Sequence, residues 1–217
     1  MGAIVKFIAT FPRVKGLKLR VTKNQTNSQQ DPDVELMLAF QAGNEEAFVK
    51  LYEKYRDRMI QFTRRFLSDV AQSEEAAQDV FLKLYKTRDR YTPSARFSTY
   101  LYRIATNHCL NLQGRLDTKL VDRHQSVEER YTDVPSSPEE TPEESAQRSE
   151  LRVALEKALQ GLPKNQRAAL VLCHYEGMSY REASAILALT ESAVKSLLHR
   201  AREKLMRELR PQRAERC

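Results

Sequence analysis

Residues 177–205 read GMSYREASAILALTESAVKSLLHRAREKL, a pattern that predicts two helices joined by a tight turn. Ser179 stands three residues before Glu182, the spacing of a capping box that begins a helix. Thr190 can cap the second helix, whose apolar residues repeat at helical spacing on one face. Two short helices of this kind are typical of a helix-turn-helix, in which the second helix enters the major groove of DNA.

The other face of that second helix carries the side chains that proteins use to bind DNA. Lysine and arginine reach phosphates and guanine edges, and serine bonds to several bases. We expect the following residues to contact duplex DNA: Thr190, Glu191, Ser192, Lys195, Ser196, His199, Arg200 and Arg202. The alternative is a solvated amphipathic helix without a ligand.

The rest of the chain is predicted to be helical as well. Glycine is scarce, and alternating strand patterns are absent. We predict helices that begin at 31–33, after Asn44, at Ser73 as the N-cap, and over 96–113. Two more short helices precede Gly177, separated near Pro163. The expected fold is all-α, with two small helical domains.

Charge and proline divide the chain into blocks. Residues 1–30 carry six bases and no acids, whereas residues 117–150 carry ten acids and four bases. Low hydrophobicity with excess charge is typical of disorder. We therefore predict a basic disordered tail over 1–30, a helical domain over 31–116, a flexible acidic linker over 117–149, a second helical domain over 150–210 and a tail over 211–217. The net charge of +7 suits a polyanionic partner.

Several classes of function are disfavoured. No apolar run is long enough for a membrane helix, so we expect no membrane insertion. The apolar start of the chain is broken by Lys6, which makes a secretory signal the lesser interpretation. Cys109, Cys173 and Cys217 form no CxxC pair, and we expect reduced thiols, no metal site and no cofactor. No residue cluster has the spacing of a catalytic site, so we expect no enzyme.

Four segments carry a resemblance to one family. SYREASAIL (179–187) followed by SAVKSLLHRAREKL (192–205) resembles the C-terminal helix-turn-helix of bacterial extracytoplasmic-function (ECF) sigma factors. Three upstream segments resemble, in the same order, the family's first helix pair, its polymerase-gripping segment and its promoter-melting helix. They are GNEEAFVKLYEKY (43–55), QDVFLKLY (78–85) and FSTYLYRIATNHCLN (97–111).

The resemblance implies what the protein does. A sigma factor binds core RNA polymerase, recognises the −35 promoter element as duplex DNA and helps to open the −10 element, while the polymerase performs the chemistry. It further implies an anti-sigma factor as a partner and a location in the bacterial cytoplasm. A DNA-binding regulator that acts without the polymerase remains the alternative.

The resemblance also implies a polymerase-binding surface on the third helix. Its residues are Gln78, Asp79, Phe81, Leu84 and Tyr85. An acid beside an apolar and aromatic ridge suits docking onto a basic partner. Whether Phe81 and Leu84 face that partner or fill the core stays open at this point.

The fourth helix is implied to serve the −10 element through Arg96, Phe97, Tyr100, Arg103 and Asn107. Aromatic rings stack on exposed bases, arginine holds the backbone, and asparagine reads a base edge. The sequence leaves open whether Phe97 stacks on a base or lies in the core.

The chain departs from the family pattern in the helix-turn-helix. Ala188 stands in the turn where the family often has glycine, which predicts an altered turn, because a positive φ disfavours alanine. Leu197 stands where an arginine is common on the reading helix, which predicts a changed −35 preference. The acidic linker is interpreted either as a tether that enters the polymerase channel or as a solubilising spacer.

Overall fold

A computed structural model of the chain describes residues 31–67, 69–120 and 153–209. The predicted tails, Cys217 and all but the first four residues of the predicted linker lie outside the described residues. Within these ranges there are eight α-helices and no strand, which confirms the all-α prediction. They are α1 (Pro32–Gln41), α2 (Glu45–Arg64), α3 (Val70–Lys86), α4 (Phe97–Leu120), α5 (153–160), α6 (Lys164–Leu170), α7 (Tyr180–Leu187) and α8 (Glu191–Leu209).

The first three helices begin at short polar side chains that cap exposed backbone N–H groups. Asp31 accepts from the N–H of Asp33, and Asn44 accepts from that of Ala47. The cap of α3 is Asp69, which accepts from the N–H of Gln72 at 2.8 Å. The prediction of Ser73 as this cap was wrong. Ser73 is buried one turn into α3, and its carbonyl accepts from the hydroxyl of Thr63 on α2 at 2.8 Å.

Helices α1–α4 surround one apolar core, which fixes the two faces discussed below. Its fully buried large side chains are Met37, Phe40, Leu51, Met59, Phe62, Val80, Leu84, Phe97 and Leu101. An ion pair joins the buried Asp33 of α1 to the exposed Lys54 of α2, since Lys54 Nζ lies 2.6 Å from Asp33 Oδ1. The hydroxyl of Tyr55 donates to Asp33 as well, at 2.6 Å. Burial and this hydrogen bond raise the pKa of Tyr55 above its ordinary value, so it stays neutral.

Helix α4 is longer than predicted. It was expected to end near residue 113 and instead continues to Leu120, four residues into the segment predicted as linker. Helices usually end at a proline or another breaker. The sequence GRLDTKL (114–120) contains no proline, and none follows Pro93 until residue 135, so the helix can continue.

The second helical unit contains the predicted helix-turn-helix. Both hydrogen bonds of the capping box are present, from the Glu182 N–H to Ser179 Oγ and from the Ser179 N–H to the Glu182 carboxylate. Thr190 Oγ1 accepts from the N–H of Ala193 at 3.1 Å and so caps α8. Val194, Leu198, Ala201 and Leu205 are buried against α6 and α7. These caps and this apolar face confirm the predicted helix pair.

The turn between α7 and α8 retains its shape in spite of Ala188. This residue has φ 54° and ψ 43°, the left-handed conformation that favours glycine. The prediction of an altered turn was therefore wrong. The buried face of α8 holds the turn in place, and the alanine bears the strain.

Replacing Ala188 with glycine is expected to raise the free energy of unfolding by about 1 kcal/mol, because glycine adopts the left-handed region without steric cost. Urea denaturation of the full chain, followed by circular dichroism, measures this change. Ala185→Gly, inside α7, serves as the control and should lower stability by about 1 kcal/mol. Equal destabilisation by both substitutions would contradict strain at Ala188.

The two helical units contact each other in the described residues. Helix α4 packs against α6 and α7. Arg167 of α6 is buried, and its guanidinium donates to the carbonyl of Phe66 at 2.9 Å. Gln113 of α4 donates to the same carbonyl at 2.6 Å. The turn that follows α2 is therefore held by both α4 and α6, and the units form a closed arrangement.

Candidate nucleic-acid and partner interfaces

Helix α8 presents most of its predicted DNA contacts to solvent. The exposed ones are Thr190, Glu191, Ser192, Lys195, Ser196, His199 and Arg200. Ser192 and Ser196 are four residues apart, as are Lys195 and His199, so the two pairs lie side by side along one face. His199 Nε2 lies 3.4 Å from Glu203, and Lys195 Nζ lies 5.7 Å from the centroid of the Tyr180 ring. This face is a polar strip of the length that a recognition helix presents to a groove.

Arg202 lies beside that exposed strip, at the edge of the buried face of α8, and its contact with DNA stays a prediction. Its side chain is half-buried, and burial lowers the pKa of its guanidinium from the ordinary value. It lies near His174, whose pKa is lowered by burial and by the charge of Arg202. Arg202 is partly buried because it follows Ala201, one of the residues that α8 packs against α6 and α7. Leu197 is likewise half-buried and packs on the core.

Arg181 was missed by the sequence reasoning. It is exposed in the first turn of α7, the helix that precedes the turn of the helix-turn-helix. In such motifs the first helix crosses the DNA backbone, so an exposed base there suits a phosphate contact. Its place in the first turn of that helix, between Ser179 and Glu182 of the capping box, was the available signal.

Three predicted −10 residues share the outer face of α4. Tyr100 is half-buried, and its ring packs on Tyr91 with centroids 4.9 Å apart. The guanidinium of Arg103 lies 5.5 Å from the Tyr100 ring centroid, and both Arg103 and Asn107 are exposed. The spacing of three and four residues makes a continuous strip of an aromatic ring, a cation and an amide. Burial raises the pKa of Tyr91, behind this strip, to about 12.

Phe97 lies apart from that strip. Its side chain is fully buried, and its ring packs on Tyr55 with centroids 5.4 Å apart. Its backbone N–H donates to Asp31 at 3.0 Å. The expectation that Phe97 contacts DNA is corrected, because the ring fills the junction of α1, α2 and α4. Arg96, immediately before it, is half-buried and lines a cleft described below.

Helix α3 exposes only part of its predicted polymerase-binding set. Gln78 and Tyr85 are exposed, whereas Phe81 and Leu84 are 4% and 0% exposed. The ring of Phe81 packs on Tyr52, and Leu84 lies wholly inside the core. Both residues are therefore removed from the candidate surface, because burial leaves them nothing to offer a partner.

Leu82 takes their place and was missed by the sequence reasoning. It is 49% exposed and lies between Gln78 and Tyr85 on the outer face of α3. Tyr85 is anchored there by its contacts with Phe48 and by a hydrogen bond to Glu45 at 3.0 Å. The spacing of 78, 82 and 85 was the available signal, since it matches one helical face.

Asp79 faces α4 as well as solvent. Its carboxylate lies 3.4 Å from Nε2 of His108, and Lys83 Nζ lies 2.7 Å from the Nδ1 of that ring. An ammonium group can only donate, so Nδ1 accepts and the ring proton sits on Nε2, toward Asp79. This chain of contacts ties the exposed face of α3 to the helix that carries the −10 strip.

Metal and thiol chemistry find no support in the part of the chain that the structure describes. Within it, no group of three metal-ligating side chains is brought together. Burial raises the pKa of Cys109 and of Cys173 to about 12, so both stay protonated at neutral pH. Of the described helices, none is long and apolar enough to span a bilayer.

Comparisons with known proteins agree with this arrangement. The chain matches the family "Sigma-70 region 2" over residues 51–117 and the family "Sigma-70, region 4" over residues 152–205. It is 30% identical over 185 residues to the RNA polymerase sigma-H factor of Pseudomonas aeruginosa, covering 84% of this chain and 96% of the relative. It is 30% identical over 174 residues to the ECF RNA polymerase sigma factor SigW of Bacillus subtilis, covering 77% and 91%. The chain belongs to the ECF sigma factors.

A solved structure shares the fold of this ECF sigma factor. The structure of CnrH in complex with the cytosolic domain of CnrY superposes with a TM-score of 0.62 at 26% identity. The match covers 83% of this chain and 99% of that one. Region 2 of the sigma factor contains α3 and α4 with their exposed strips, and region 4 contains the helix-turn-helix. The family match therefore covers all three candidate surfaces.

Proposed function

We propose that this ECF sigma factor initiates transcription by joining core RNA polymerase to promoter DNA through three surfaces. The outer face of α3 binds the polymerase, the strip on α4 holds the opened −10 element, and α8 reads the −35 element as duplex. The observation that carries this is the separation of the exposed strips: each lies on a different helix and has the chemistry of its ligand. It acts where the polymerase is, in the bacterial cytoplasm, and the polymerase supplies the catalysis.

The −35 function is supported by the polar strip of α8. Lys195 and Arg200 bring positive charge to the phosphates, and Ser192 and Ser196 bring hydroxyl groups that bond to base edges. The strip projects away from the buried apolar seam, so a groove can receive it without unfolding the region. Arg181 adds a contact to the DNA backbone from the helix that precedes the turn.

The −10 function is supported by the composition of the α4 strip. Melted DNA is held when unpaired bases find a stacking partner and the backbone finds a cation. Tyr100 offers the ring, Arg103 the cation and Asn107 a donor and an acceptor. Because the ring of Tyr100 is braced by Tyr91, it is held in position before DNA arrives.

The domain boundaries are proposed as region 2 over 31–116, extended by the last turn of α4, and region 4 over 150–210. We also propose an anti-sigma factor as a regulatory partner. The solved relative CnrH is bound to the cytosolic domain of CnrY, which supports that proposal through likeness of fold and sequence.

Run-off transcription tests the proposed function. The purified chain is added to bacterial core RNA polymerase on a library of genomic fragments, and the start sites of the transcripts are sequenced. We expect transcripts that share −35 and −10 elements at fixed distances from their starts. Promoter binding by the chain that never leads to transcription with the polymerase would favour the regulator instead.

The double substitution Lys195→Ala and Arg200→Ala is expected to weaken promoter binding by the holoenzyme. If each cation contacts one phosphate, the slope of log affinity against log salt should become shallower by about two. Electrophoretic mobility shifts over a range of salt concentrations measure this slope. The matched control is Lys157→Ala with Lys50→Ala, two exposed lysines outside the strip. An unchanged slope in the α8 variant would contradict its role as the reading helix.

A further inference from the structure

A cavity of about 450 Å³ lies where the two helical units meet. Among the described residues, the two walls of this cavity carry charges of opposite sign. The region 2 wall contributes Arg58, Arg65 and Arg96 and no acid, whereas the region 4 wall contributes Glu176 and Glu182 and no base. A division of charge this complete indicates that the two walls are matched to each other electrostatically.

Glu176 makes two contacts across this cavity. Its Oε1 lies 3.4 Å from Arg65 Nη1, and the hydroxyl of Tyr102 donates a short hydrogen bond to its other carboxylate oxygen. Its side chain is only 12% exposed, and that of Arg65 is 25% exposed. Hydrogen bonds to an ionised group are strong, and partial burial reduces their screening by salt. Burial and the bond to Glu176 raise the pKa of Tyr102, so its proton remains available to the carboxylate.

Region 4 adds a second contact beside Glu176. The guanidinium carbon of Arg65 lies 4.5 Å from the centroid of the Tyr175 ring. Arg65 is therefore held by a carboxylate and by an aromatic face from the same short segment. Planar cations bind both groups well.

The region 2 wall has the chemistry of a phosphodiester site. Arginine groups bind phosphate oxygens as they bind a carboxylate, through charge-assisted hydrogen bonds. Arg96, in this wall, immediately precedes α4 in the sequence, whereas Ser98 and Tyr102 line the cavity from the face of α4 opposite to Arg103. In the closed arrangement, the carboxylate of Glu176 contacts the guanidinium of Arg65, the kind of group that a phosphate would bind.

We propose that the closed arrangement is autoinhibited: Glu176 of region 4 covers an arginine-lined site of region 2 that binds the DNA backbone. Separation of the two regions exposes the site. The strip on α8 stays exposed in the closed arrangement, so the block acts on region 2 and spares −35 reading. The inference rests on the proposed function, because DNA is the ligand for which Glu176 substitutes.

Glu176→Gln in the full chain tests the proposal, since the substitution keeps the shape and removes the charge. Small-angle X-ray scattering measures the radius of gyration, and fluorescence anisotropy measures affinity for a labelled single-stranded oligonucleotide. We expect a larger radius and about tenfold tighter binding, the gain when a competent state present in about one molecule in ten becomes dominant. The matched control is Glu35→Gln, an exposed acid on α1 with the same loss of charge, and it should change neither value.

A second variant assigns the gained affinity to the arginine wall. Glu176→Gln with Arg58→Gln should keep the larger radius and lose most of the added affinity. Arg58 is exposed on α2, so this change spares the core. The proposal is overturned if Glu176→Gln matches its control, if the opened chain binds DNA no more tightly, or if the double variant keeps the whole gain.

These results are separable from the test of the proposed function. Run-off transcription by the wild-type chain with core polymerase does not depend on whether Glu176 limits DNA binding by the free chain. A chain that programmes transcription and shows no effect of Glu176→Gln retains the proposed function and loses the autoinhibition. A chain that opens on Glu176→Gln and binds oligonucleotide but never directs the polymerase loses the proposed function alone.

Discussion

Phe97→Ala is expected to lower the free energy of unfolding by about 3–5 kcal/mol, the usual cost of truncating a fully buried phenylalanine. The ring is 0% exposed and packs on Tyr55, so its loss leaves a cavity where α1, α2 and α4 meet. Urea denaturation of the full chain, followed by circular dichroism, measures the change. The free energy is of the same order as the whole stability of a small domain. We therefore expect region 2 of this variant to be largely unfolded at physiological temperature.

Arg103→Ala provides the contrast on the same helix. Its side chain is exposed, so the substitution should change stability by less than about 0.5 kcal/mol. It should nevertheless reduce the yield of open complexes on duplex promoters, and a template melted in advance over the −10 element should recover part of that loss. A Phe97→Ala chain that folds as stably as the wild type and fails only in promoter opening would return Phe97 to the DNA-binding surface.

Leu82→Asp is expected to weaken assembly with core RNA polymerase by at least thirtyfold, or about 2 kcal/mol, the size of an interface hot spot. The side chain is 49% exposed in the middle of the outer face of α3. A carboxylate there loses water on docking and gains no partner in an apolar contact. Competition for core polymerase against a labelled wild-type chain measures the affinity.

Two control variants separate a lost polymerase contact from an effect of charge elsewhere and from unfolding. Met206→Asp places the same charge on an exposed apolar residue of α8, 43% exposed, and should leave polymerase affinity unchanged. Leu84→Asp buries a charge in the core and should unfold region 2. Folded Leu82→Asp that competes as well as the wild type would move the polymerase contact away from the outer face of α3.

The contacts of His108 connect the outer face of α3, where Leu82 lies, with α4, where Phe97 and Arg103 lie. Asp79 and Lys83 contact the ring from α3, so they link the outer face of α3 to the helix that carries Tyr100, Arg103 and Asn107. If the polymerase docks through α3, as proposed, the position of Tyr100, Arg103 and Asn107 is set at the same time. The same contacts make Asp79 a poor test of polymerase binding, since a substitution there also disturbs α4.

The sequence by itself determined the helices and their order. Caps and periodicity act between residues a few positions apart, so Asn44, Thr190 and the Ser179–Glu182 pair could be assigned without tertiary information. The family resemblance was determined in the same way, because it depends on motifs in order along the chain.

Tertiary structure decided which edge of each helix reaches solvent. Phe81 and Leu82 are neighbours of similar hydrophobicity, and only the packing of α2 on α3 buries the first and exposes the second. In the same way α6 and α7 draw Arg202 inward, and the buried seam of α8 holds Ala188 at a positive φ. The contact of Glu176 with Arg65 joins residues 111 positions apart, and no local pattern encodes it. Burial depends on the sum of all neighbours in space, whereas helix formation depends mainly on neighbours in sequence.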